Sequence, residues 1–150
     1  MTGKELILKA FNNENLERVP WIPYTGVQVG ALSDVSAEAL LQSEELLFDN
    51  LMKAHKQYAP DGMPVMFDLQ IEAEILGCEL MWAKKAPPSV RTHPLAESAE
   101  IEMELPKEGD GRIPLVLNVM RKIKNEVGNT NISAISNLSS FTIIVSSSKE

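Results

Sequence analysis

The chain has 150 residues, a hydrophobic fraction of 44% and a formal net charge of -7. That length suits one ordinary domain and that apolar content can build a core, so a disordered tail is excluded. An acidic surface repels a phosphate backbone, so nucleic acid is not an expected partner. Cys78 is the sole cysteine; no internal disulfide can form, and the cytoplasm is the expected location. Leu6-Ile7-Leu8 is interrupted too soon by Lys9 to read as a signal peptide. No run approaches the ~20 apolar residues of a membrane span.

Thr2 and Glu5 have the spacing of a capping box, and Leu6, Ile7, Ala10 and Phe11 follow at helical spacing. Val19-Pro20-Trp21-Ile22-Pro23-Tyr24 is apolar enough for a strand, shortened because each proline removes a ladder donor. A loop with Gly26 and Gly30 comes next. Its Gly26-Val27-Gln28-Val29-Gly30 lacks the spacing and the lysine of a phosphate loop. Ser36 caps what reads as one long amphipathic helix, with Leu40, Leu47, Leu51 and Tyr58 on one face, ending before Pro60-Asp61-Gly62.

Met63-Pro64-Val65-Met66-Phe67 lacks polar alternation, the pattern of a strand buried on both faces. It ends at Asp68. A short helix from Leu69 to Leu76 stops at Gly77, and Cys78 to Trp82 reads as extended. Glu100 to Leu105 alternates with period two, which predicts a half-exposed strand or connector. Pro114 opens another helix, striped by Val116, Val119, Met120, Ile123 and Val127 and stopped at Gly128. Ile132 to Ile135 reads as a further strand, and Phe141 to Val145 as a last apolar run. Such alternation of strand and helix predicts parallel β/α units. A closed eightfold barrel takes ~250 residues, so the expected fold class is α/β, an incomplete N-terminal portion of a (β/α)8 barrel.

Asp68 is the leading site candidate, because barrel enzymes place working residues at the C-terminal ends of strands. The competing reading is a cap for the helix that follows. Gln70, Glu72 and Glu74 could line a pocket mouth, although a solvated helix face has the same pattern. Tyr24, Gly26 and Gln28 are candidates for a pocket wall, against plain turn and packing roles. His55 lies on an apolar stripe and reads as packed. Cys78 and His93 have no close-spaced partner ligands, so no metal site is expected.

Several stretches resemble the uroporphyrinogen decarboxylase superfamily. They include Glu17-Arg18-Val19-Pro20-Trp21-Ile22-Pro23, Tyr58-Ala59-Pro60-Asp61-Gly62, Val65-Met66-Phe67-Asp68 with Glu72-Ala73-Glu74-Ile75-Leu76-Gly77-Cys78, Ala86-Pro87-Pro88-Ser89-Val90, and Gly111-Arg112-Ile113-Pro114. The resemblance implies a barrel with its pocket at the strand C-termini, and it aligns Asp68 with the family's pocket aspartate. The decarboxylases carry an Arg-Gln-Ala-Gly-Arg stretch after the first strand. Here the loop reads Pro23-Tyr24-Thr25-Gly26-Val27-Gln28 and both arginines are absent. A substrate with eight carboxylates needs such cations. The resemblance is therefore nearer the branch that moves methyl groups between a corrinoid and a thiol such as coenzyme M.

In that branch zinc, held by residues of the second half of the barrel, activates the thiol. The resemblance thus implies zinc and a corrinoid for a full-length member, with a small molecule or corrinoid protein as substrate, and none bound by these residues alone. A decarboxylase of tetrapyrrole biosynthesis is the alternative function, and a non-catalytic fragment or small binding module the third. Ser139-Ser140-Phe141-Thr142 stands where the family has Gly-Pro-Phe-Thr, so residues 1–150 are expected to be one barrel portion truncated near 138–150. Such a piece is expected to lack turnover alone and to self-associate or pack poorly.

Overall fold

In a computed structural model, residues 1–96, 106–128, 131–136 and 143–144 are described. Helix α1 spans Gly3–Phe11, α2 Ala37–Gln42, α3 Glu44–Tyr58, and strand β1 Gly62–Asp68. Then come α4, Ile71–Ile75, and a two-stranded hairpin of β2, Leu80–Met81, and β3, Ser89–Val90. Helix α5 spans Ile113–Val127, β4 Asn131–Ser136 and β5 Ile143–Ile144. The expected strand at 100–105 lies outside the described residues.

Local chemistry explains most boundaries. Thr2 Oγ1 accepts from the Glu5 N–H at 3.2 Å, and the Thr2 N–H donates to the Glu5 carboxylate at 2.7 Å, closing the capping box of α1. The long helix expected from Ser36 onward is divided in two. Ser43 leaves helical geometry (φ -124, ψ 119) and caps α3 through the Leu46 N–H. Ser36 likewise caps α2 through the Ala39 N–H. Two N-capping serines seven residues apart give two helix starts, and the apolar stripe continues across the break because both helices cover the same core.

The expected strand at 19–24 does not form. Residues 27–33 coil into a 3-10 turn instead, and 19–24 runs without a ladder. Pro20 and Pro23 lack the donors a ladder needs. The segment still lies beside β1: the Asp61 N–H donates to the Trp21 carbonyl at 3.0 Å, and Thr25 Oγ1 donates to the Pro64 carbonyl at 2.9 Å.

β1 pairs in parallel with β4, with Gly62 opposite Asn131 and Asp68 opposite Ser136. The crossover between them carries α4, the hairpin and α5, which makes a β/α unit. β5 departs from the parallel expectation and runs antiparallel to β4. Residues 137–142 alone separate the two strands, too few for the dozen or so that a parallel crossover requires.

β1 is buried at residues 62–66 and at Asp68; Met63 and Val65 have no exposed surface. Leu40, Leu41, Leu47 and Leu51 from α2 and α3 join Val119, Met120 and Ile123 from α5 in one core with Met63, Val65 and Met66. No helix among the described residues is long and apolar enough to cross a membrane.

Candidate functional site at the C-terminal end of β1

Because β1 and β4 are parallel, Asp68 and Ser136 mark the same end of the sheet. α5 descends from that end before β4 returns to it, so the N-terminus of α5 lies on the C-terminal side of the strands. Four elements meet there. Asp68 closes β1, Glu74 stands on α4, Trp82 follows β2, and Arg112 is the N-cap residue of α5.

Asp68 has no exposed surface and Arg112 retains 9%. Both carboxylate oxygens are occupied: Oδ1 accepts from the Gln70 N–H at 2.9 Å and Oδ2 pairs with Arg112 Nη1. Arg112 Nε donates to Glu74 Oε2 at 2.7 Å, and the guanidinium carbon lies 5.0 Å from the centre of the Trp82 ring. Arg112 Nη2 is buried and has no partner among the described residues. Gly111, at φ +50, brings Arg112 in; a Cβ there would stand 2.8 Å from Ile75 Cγ1. The arrangement is a carboxylate fixed at a strand end by one guanidinium, itself held by a second carboxylate and an indole face. Its formal charge is -1, so the cluster favours a neutral or cationic partner over an anion.

The local reading of Asp68 is met in its bond to the backbone that follows. Its Oδ1 receives the Gln70 N–H two residues on, the local turn bond expected of an aspartate before a helix, while its Oδ2 makes the long-range pair. Gln70 is half-buried beside it and contributes its backbone N–H. Tyr24, Gly26 and Gln28 gather elsewhere. Gln28 Nε2 donates to the Tyr24 carbonyl at 2.7 Å, and the Gly26 N–H donates to Gln28 Oε1 at 3.0 Å. Tyr24 and Gln28 line an open groove of about 240 Å³ with Trp21, Leu32 and Tyr58. A second groove, about 600 Å³, runs between Gln28, Ser36, Lys84 and Lys85. Asp68 lines neither.

Arg112 and Trp82 join the Asp68 cluster without any local sequence pattern that ties them to it. Arg112 lies 44 residues from Asp68 in sequence, and no local pattern links them. One signal was available: Arg112 directly precedes a helix start, where the helix dipole disfavours a cation. An arginine in that place needs an acid nearby.

The donor set does not suit zinc. Among the described residues no three His, Cys, Asp or Glu side chains converge. Cys78 is buried, and His93 is exposed with its Nδ1 accepting the Leu95 N–H.

The family model for uroporphyrinogen decarboxylase (URO-D) matches residues 2–146. The chain belongs to the uroporphyrinogen decarboxylase family. That family implies a TIM-barrel-like fold, and the chain itself is a mixture of helices and strands with a parallel β/α unit. Among solved structures it is similar to a methyltransferase from Methanosarcina mazei, at 26% identity and a TM-score of 0.72 over 88% of this chain. The likeness is thus to the methyltransferase branch of the superfamily. The chain spans 41% of the length of that methyltransferase. No curated protein sequence matches it.

Proposed function

We propose that residues 1–150 form the N-terminal portion of a URO-D-type barrel whose complete form transfers a methyl group between a corrinoid and a thiol such as coenzyme M. The observation that carries this reading is the likeness to a methyltransferase, at a TM-score of 0.72. The uncharged loop at residues 23–28 supports it, because it lacks the cations that a polycarboxylate tetrapyrrole would need. Asp68 is the residue this portion brings to the pocket. Tyr24, Gly26 and Gln28 form wall rather than chemistry, and Gln70 holds Asp68 through its backbone. Zinc and the corrinoid belong to the complete barrel, with ligands outside the residues described. The reaction is cytoplasmic, and its substrate is a small molecule or a corrinoid protein.

The test uses methylcobalamin with coenzyme M, and separately uroporphyrinogen. The chain alone is expected to turn over neither, since a barrel-mouth pocket draws on several strands. Mixed with the remaining portion of the Methanosarcina mazei methyltransferase as a separate chain, it is expected to demethylate methylcobalamin. Decarboxylation of uroporphyrinogen by either preparation would contradict the reading.

A further inference from the structure

We infer that Arg112 is the positioning residue of Asp68: it fixes the carboxylate's direction at the strand end, and Glu74 and Trp82 exist to fix the guanidinium. The inference rests on the reading above that Asp68 is the working group of this portion.

A bridge kept for stability alone would be built differently. A buried ion pair is on balance a weak stabiliser, and apolar residues of similar volume often do as well. This one also leaves Nη2 buried without an acceptor among the described residues, an arrangement that costs stability. It further puts a cation at the N-terminal end of α5, against the helix dipole. Two features that oppose stability, and one that adds little to it, coincide on one residue. What they secure is direction. Oδ1 is pinned by the Gln70 N–H and Oδ2 by Nη1, so the carboxylate cannot rotate. The guanidinium cannot rotate either, because Nε is bonded to Glu74 and Trp82 stands against its face. Lysine could neutralise Asp68 but could not make the second, coplanar bond to Glu74.

Amide hydrogen exchange on the 150-residue chain separates positioning from bracing, with the Gln70 N–H as reporter because it is bonded to Asp68. In Arg112→Lys, Gln70 exchange is expected to quicken by about 10-fold or more, while the core amides of Leu51 and Ile123 stay at their wild-type rates. Glu74→Gln, which leaves Arg112 in place, is expected to produce a smaller change confined to the same amide. Exchange that rises together at Gln70, Leu51 and Ile123 would show a general brace and overturn the inference. An unchanged Gln70 in Arg112→Lys would overturn it as well. Should that variant fail to fold, wild-type protection of Gln70 in Glu74→Gln decides against the inference. No turnover is needed, so the result is independent of whether the complemented barrel transfers methyl groups.

Discussion

Strand β1 carries an aspartate paired with an arginine at each end, and the two pairs are built on opposite plans. Before its first residue, Asp61 accepts both nitrogens of the Arg18 fork at 2.6 Å and the Trp21 N–H at 2.8 Å. Arg18 is largely in solvent and both of its terminal nitrogens are used. At its last residue, Asp68 takes one nitrogen of a guanidinium that is buried, shared with Glu74 and left with an idle Nη2. The first plan is a fastening: it ties the proline-rich segment at 19–24 to the sheet where no ladder can. The second maintains a charged group where water has been removed, at the end of the sheet where barrels do their chemistry. On the reading proposed above, the same residue types serve cohesion at one end of a strand and placement at the other.

That contrast is most sharply broken by deletion of the cations. Arg112→Met leaves Asp68 and Glu74 facing each other without a counter-charge, and breaking a buried pair this way costs about 3–5 kcal/mol. Urea denaturation is expected to show a loss of that order. Arg18→Met leaves Asp61 buried but still bonded to the Trp21 N–H and with the solvent-exposed partner gone from its side, and is expected to lose less. Equal losses would erase the distinction between the two ends.

Gly111 comes next in size. At φ +50, with Ile75 in the space a Cβ would enter, Gly111→Ala is expected to cost about 1–2 kcal/mol. It should also shift the Trp82 fluorescence, because Arg112 moves with it. Trp21 shares the emission, so a Trp21→Phe background isolates the signal.

The Arg18 fork holds the Asp61 carboxyl below the usual carboxylate range, with the Trp21 N–H assisting. A depressed folded value contributes stability that is fully present above the unfolded value, about 3.9, and is lost as pH falls through the folded one. Asp61→Asn is therefore expected to flatten the decline in melting temperature below about pH 4, with little change in slope near pH 7. Glu5, held down by Thr2, and Glu44, held down by Lys122 and Asn118, keep part of that decline in the variant. The smallest effect is expected at the start of α1. Thr2→Ala removes the α1 cap and is expected to cost about 1 kcal/mol by thermal melting.

How much of this was legible beforehand follows from the range of each interaction. Thr2, Ser36, Gly77 and Gly128 mark boundaries by bonds or dihedrals within a few residues, and each does so in the structure. The apolar run at 63–67 and the stripe of α5 were read from burial patterns that are local in sequence. The strand expected at 19–24 failed because apolar content outweighed two missing donors in that reading. Ser43 is the same lesson in a helix: the stripe ran on, while one side chain found a better partner in a new helix start. Asp68 was legible as a strand end. Its partner was not, because a pair 44 residues apart is settled by the topology that places α5 beside β1.

The comparison between the two ends of β1 comes to a direct test in the chain complemented with the remaining portion of the Methanosarcina mazei methyltransferase. Methylcobalamin demethylation is measured for Asp68→Asn and Asp61→Asn, each beside its melting temperature. Asp68→Asn is expected to lower the rate by about 100-fold or more, as does the loss of a single placed polar group in other active sites. Asp61→Asn is expected to transfer methyl groups at nearly the wild-type rate at any temperature where it remains folded. Asp68→Asn working at the wild-type rate, or the two variants losing rate only in proportion to their lost stability, would contradict a functional end and a fastened end on one strand.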